Sequence, residues 1–279
     1  HAVASFNFIT PNLCNDMHGA NGCPNGNEIN SGDQWLRDNL PAIIDYANAN
    51  QGAILLTWDE GDSTSKMPFI AIGPHVKAGY TGTELGDWGY MPTDPARLRA
   101  ELEKRRLVML GAFVPVALKD PSTHQPGIDN AVKTARLLAA VASPDAKPYL
   151  VLADNNGSVA ERTRNAGRIT GGLGLSAAEW RTFAEGANRI GQAVLNETGL
   201  RTVFHHHCAG YVETPDEISR FLELTNPATI GLVFDTGHYA YGAGHCDVIQ
   251  GLERFKDRIH YIHLKDCSPD IAARARAEG

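Results

Sequence analysis

RTVFHHHCAGYVETPDEISRFLELTNPATIGLVFD, residues 201–235, decides the fold. RTVFHHH (201–207) is apolar and strand-like. TPDEISRFLELT (214–225) has helical spacing and opens on Thr214 before Pro215, a helix-start signal. IGLVFD (230–235) is strand-like again. Strand, helix and strand in that order make a parallel pair joined by a crossover helix. The polar residues gather at strand ends: His205 to His207 at the first, Asp235 at the second.

The same rhythm extends both ways. Upstream lie strand TGTEL, helix DPARLRAELEKR, strand LVMLGAFV, helix GIDNAVKTARLLAAVA, strand PYLVLAD and helix SAAEWRTFAEGANRIGQAVLNETG. Downstream come a His/Gly loop, helix DVIQGLERF, strand IHYIHL and a polar tail. Asp94-Pro95 after Thr93, and Ser176 with Glu179, are further helix starts. Six strands thus fall between residues 79 and 266. A closed TIM barrel has eight, with its chemistry at the C-terminal strand ends. GAILLTW and PFIAIG would complete the count, but the roughly ten residues between them are short of a helical crossover. The expected fold is α/β: an incomplete or rebuilt TIM-type barrel over residues 77–279, lacking the first and last strands.

Residues 1–76 have a different character. They hold two basic and eight acidic residues, while the whole chain of 279 residues carries 25 basic and 32 acidic ones and a net charge of -7. Residues 1–32 are rich in Asn, Gly and Pro and read as loop; 33–50 have helical spacing. The mild acidity argues against a nucleic-acid binder, and no apolar run approaches the ~20 residues of a membrane helix. HAVASFNFIT lacks the basic segment and apolar core of a signal peptide, and no targeting signal is read. Cys14 and Cys23 lie close enough in one loop for a disulfide or for two free thiols; Cys208, Cys246 and Cys267 read as thiols of a cytoplasmic protein.

Chemistry concentrates in FHHHCAGYVET (204–214), VFDTGH (233–238) and YIHLKD (261–266). Imidazole and carboxylate together suit a divalent metal. Alternate residues of a strand share a face, so His205 and His207 point one way and His206 the other. Asp235 and His263 can converge with one of them. His238 is a candidate proton shuttle or substrate contact, and Lys265 and Asp266 are candidates for holding substrate hydroxyls. In the first part Asp16, His18, Asp59 and Glu60 form a smaller acidic and imidazole set, readable as a metal site for phosphate chemistry or as solvated turns.

From about Lys77 onward the chain resembles the sugar isomerase/epimerase-like TIM barrels, nearest to the myo-inosose dehydratase group. The resemblance rests on AGYTGTELG, RLRAELEKRRLVMLGAF, FHHHCAGYVETPDEI, LVFDTGHYAYGAGHCDV and RIHYIHLKD. It implies Asp235 and His263 as metal ligands, a stand-in ligand from His205 or His207, and Glu84 facing the same rim. It also implies manganese or cobalt, with zinc or magnesium as further choices, and a small polyol ketone or sugar as substrate. His238, Lys265 and Glu84 become the catalytic candidates. Proton removal beside a ketone serves dehydration, epimerisation and isomerisation alike. The family usually takes a further metal-binding Glu from a strand that would follow CSPDIAARARAEG.

Residues 1 to about 79 resemble the C-terminal part of secreted phosphoesterases, the family of acid phosphatases and phospholipase C-like enzymes. The resemblance rests on CNDMH and TWDE. It implies Asp59 and Glu60 as metal ligands, a Cys14–Cys23 disulfide, and a chimera joined near Lys77–Tyr80. Three functions are therefore expected to compete: a lyase or isomerase, a phosphoesterase, and an inactive recombined scaffold. Unpaired edges of an incomplete barrel predict a homo-oligomer.

Overall fold

The computed structural model describes Ile9, Pro11, Asn15 and residues 28–57, 69–72, 81–144, 146–242 and 247–278. The chain divides into two units, His1–Tyr80 and Thr81–Gly279, against an expected boundary at 76/77. Asp16, His18, Asp59, Glu60, Cys14, Cys23 and the junction at 77–80 lie outside the described residues. No helix among the described residues is long and apolar enough to cross a membrane.

In the first unit α1 spans Glu28–Ala49, five residues earlier than its spacing suggested. It ends where the Gly52 N–H donates to the Ala47 carbonyl at 2.7 Å. β1 (Ile54–Thr57) pairs antiparallel with β2 (Phe69–Ile72), Ile54 opposite Ile72. These two strands do not join the larger sheet. Their short connection suits an antiparallel ribbon, whereas a parallel pair needs a dozen residues or more.

The second unit carries one six-stranded parallel sheet in chain order. Its strands are β3 (Gly82–Glu84), β4 (Val108–Val116), β5 (Tyr149–Asp154), β6 (Thr202–His205), β7 (Ile230–Asp235) and β8 (Ile259–His263). The crossovers contain α2 (Pro95–Arg105), α3 (His124–Ala140), α4 (Ala160–Arg164), α5 (Ala177–Thr198), α6 (Pro215–Leu224), α7 (Thr236–Tyr241) and α8 (Val248–Phe255); α9 (Pro269–Glu278) follows β8. The signalled helix starts are made. The Asp94 side chain caps α2, and Ser176 with Glu179 and Thr214 with Glu217 form full capping boxes on α5 and α6.

Two apolar layers flank the sheet. Outward residues such as Ala112, Val114, Leu150, Leu152, Phe204, Leu232 and Phe234 pack with Leu98, Leu138, Phe183, Ile190 and Phe221 of the helices. The Phe204 and Phe221 rings lie 4.1 Å apart, and full burial of one such side chain is worth about 1.5–3 kcal/mol. The inward layer is smaller: Val151, Val203 and Val233, with Phe113, Tyr149 and Tyr261 against them. Tyr149 and Tyr261 stack at 5.9 Å although they stand on strands three apart. The sheet therefore curls until side chains of β8 reach across its concave face.

Two segments differ from expectation. The His/Gly loop after Asp235 contains α7, because the Asp235 side chain accepts the His238 N–H and so caps a helix. The polar tail is α9, which the rim holds through an Arg276 side-chain bond to the Tyr241 carbonyl at 2.8 Å.

Candidate metal centre

The concave face brings Glu84, His205, Asp235, His238, His263 and Lys265 together at the C-terminal strand ends. Register does part of this: His205 stands beside Val233, and Asp235 beside His263. Curl does the rest, since Glu84 ends the first strand of the sheet and His263 the last. Their side chains meet, with His263 Nε2 2.8 Å from Glu84 Oε1. Tyr261 donates its hydroxyl to the same oxygen at 2.9 Å.

Asp235 is the hub. Its side chain is fully buried, and Oδ2 lies 3.1 Å from His205 Nε2, 3.6 Å from His263 Nδ1 and 2.7 Å from Lys265 Nζ. Oδ1 accepts the His238 backbone N–H at 2.9 Å. Burial works to raise this carboxyl, but the bonds from His205 and His263 outweigh it and hold it far below the usual carboxylate range. Glu84 follows the same pattern: burial opposes, and His263 keeps it lowered. His263 faces carboxylates from both ring nitrogens; burial pulls it down, yet Asp235 and Glu84 push it up to about 9. The other imidazoles are neutral, because burial lowers His205 to about 4 and His238 to about 2. Burial lowers His207 as well.

These residues fit a metal ion. One ligand atom each from His205, Asp235 and His238 lies within 4.8 Å of the others. An ionised carboxylate only accepts, so His205 Nε2 carries the proton and leaves its Nδ1 lone pair without a partner among the described residues. Lys265 and the raised His263 bring two positive charges to two carboxylates, the charge that a divalent ion would supply.

Glu84, His205, His207, Asp235, His238, His263 and Lys265 lie at or beside this cluster, whereas Asp266 is exposed and accepts the Cys267 N–H at 2.8 Å. His238, read as a shuttle, belongs to the metal-capable set. His263, read as a ligand, is clasped between Glu84 and Asp235. His207 turns Nδ1 to the Cys208 carbonyl at 2.7 Å, and its ring lies 3.6 Å from that of His238. Tyr261 had no assigned role, although its parity with His263 on β8 was the available signal. Gly237 makes room for Lys265: a Cβ there would stand 2.6 Å from the lysine's own.

Fold and rim define a class. Residues 75–276 match the xylose isomerase-like TIM barrel, and the chain belongs to that family. Within it, the chain is 29% identical over 244 residues to an inosose dehydratase of Geobacillus kaustophilus, and 30% identical over 246 residues to that of Halalkalibacterium halodurans. Each match takes in 88% of this chain and 70% of the relative. The matches therefore reach into the first eighty residues and lend no support to a phosphoesterase origin there. The solved structure of the IolI protein with a bound zinc atom aligns at a TM-score of 0.51 and 16% identity, over 69% of this chain and 65% of that one. It shares the fold.

Proposed function

We propose that this chain is a metal-dependent lyase of the inosose dehydratase type, removing water from a cyclic polyol ketone. The observation that carries the reading is the buried His205, Asp235 and His238 set beside Glu84, His263 and Lys265 on one concave rim. Identity of about 30% to inosose dehydratases over most of the chain supports the substrate class. His205, Asp235 and His238 would hold the ion, with His263 beside them. Manganese or cobalt are the first choices, and zinc or magnesium suit the same donors. The zinc in IolI supports a divalent ion in barrels of this kind.

When bound, the metal polarises the ketone oxygen and acidifies the neighbouring C–H. The chain's own residues do the rest. Glu84 is ionised at neutral pH and can accept that proton at a carboxylate oxygen. Tyr261 and His263 fix its orientation. Lys265, half exposed and reaching Asp235, is the cation at the mouth able to protonate a departing hydroxyl. The phosphoesterase reading rests on residues outside the described ones, and the inactive-scaffold reading predicts no turnover in the assay below.

The test is turnover of an inosose with manganese after EDTA treatment, followed by absorbance of the α-hydroxy enone, the enol of a 1,2-diketone, that loss of one water leaves. Wild type should turn over only with metal, and Asp235→Asn should lose both metal and turnover. Turnover undiminished in EDTA, or retained by Asp235→Asn, would overturn the proposal. An epimerised inosose with no loss of water would move the assignment to an epimerase.

A further inference from the structure

The middle histidine of HHH follows the last residue of β6 and turns its ring away from the site, into the core. His206 is wholly buried, with its ring against Phe234 at 5.7 Å and Tyr239 at 6.1 Å. Its Nε2 lies 3.1 Å from the backbone nitrogen of Asp235. The β6–β7 ladder ends at His205 opposite Val233, just where β6 stops. Beyond that point the Asp235 N–H has no strand carbonyl to receive it. A buried N–H left without a partner is costly, and the imidazole takes the place of the missing ladder bond.

We propose that His206 is a positioning residue of the metal centre: it accepts the Asp235 backbone N–H and so sets the direction in which that carboxylate faces the site. The inference rests on the metal-site reading above. Asp235 is then held at three points. His206 holds its nitrogen, the His238 N–H holds Oδ1, and His205, His263 and Lys265 share Oδ2. A peptide N–H only donates, so His206 Nε2 supplies the lone pair and Nδ1 carries the proton. That Nδ1–H has no partner among the described residues, a cost that offsets part of the gain from satisfying the Asp235 amide.

Two measurements test this. The first needs no metal: nitrogen NMR of His206 in the full chain. The expected result is the Nδ1–H tautomer, with a scalar coupling across the hydrogen bond between Nε2 and the Asp235 amide nitrogen. An Nε2–H tautomer would overturn the proposal outright, because that nitrogen could not accept. The second is manganese titration of wild type, His206→Leu and His206→Gln. Loss of a group that orients a ligand typically weakens binding about 10–100-fold. His206→Leu should show that loss, and His206→Gln, whose amide oxygen reaches the place of Nε2, should recover most of it. Equal affinity in wild type and His206→Leu would overturn the positioning role while leaving the metal site standing. An equal loss in both variants would also overturn it, since packing alone would then account for the effect. A wild type that binds no manganese, beside the expected tautomer and coupling, would overturn the metal-site reading and the inference that rests on it.

Discussion

A divalent ion held at the proposed site would compete with Lys265 for one oxygen. The ammonium lies 2.7 Å from Asp235 Oδ2, where it balances the charge of the buried carboxylate. Lys265→Met is therefore expected to bind manganese at least as tightly as wild type by calorimetry. Its turnover should fall about 10²–10⁴-fold if the lysine delivers a proton. Weaker binding would show that Lys265 supports the ion. Glu213 shows the opposite electrostatics from Asp235. Burial raises its carboxyl although it accepts the Gly167 N–H at 2.7 Å and the Ala209 N–H at 3.0 Å. With the folded pKa above the unfolded one, its contribution to stability is fully present below the unfolded pKa and is lost as pH rises through the folded one. Lowering the pH from 7 toward the ordinary glutamate range should raise the wild-type Tm relative to Glu213→Gln. A wild-type Tm that falls relative to the variant over that window would contradict the assignment.

At the scale of elements, one buried arginine ties the rim loops together. Arg162 on α4 donates to the Gly210 carbonyl from Nε at 2.7 Å and to both oxygens of Glu217 on α6 at 2.8 and 3.0 Å. Glu217 also closes the capping box of α6. The loop after β5 and the loop after β6 are thus locked to one helix start. Arg162→Met takes the cation from the largely buried Glu217 carboxylate, which keeps only the Glu213 and Thr214 N–H donors, and breaking a buried pair typically costs about 3–5 kcal/mol. Urea unfolding should report a loss of that size, and a loss below about 1 kcal/mol would show that the clamp is dispensable. The periodicity of α2, α3, α5, α6 and α8 was legible in the chain, because each has an apolar stripe and most have a cap. α4, α7 and α9 were not. α4 and α7 are short, with 5 and 6 residues, and α9 buries a single residue, Ala272; distant contacts hold them, such as Arg162 with Glu217 and Arg276 with Tyr241.

For the whole molecule, two consequences follow from the sheet and its centre. Among the described residues β3 has only β4 beside it and β8 only β7, so both edges present unpaired backbone groups. Self-association is expected, and light scattering over a concentration series should show a mass above that of one chain. A constant monomer mass would exclude it. A metal bound only by the folded chain adds about 2.7 kcal/mol at 100 times its dissociation constant. Manganese should therefore raise the Tm of EDTA-treated protein, and Asp235→Ala should remove that rise.

Strand–helix alternation and strand-end chemistry were determined by the sequence alone, because period and capping are local and survive without neighbours. Parity along the strand-like run 201–207 already separated His206 from His205 and His207. Only the tertiary structure decided which side chains meet. Glu84 and His263 stand 179 positions apart and touch because six parallel strands curl. The charge on His263 owes its Glu84 share to that curl, and the hub role of Asp235 and the place of His238 beside His205 owe theirs to the register of β6, β7 and β8. They are properties of distances between strands, which no stretch of sequence contains.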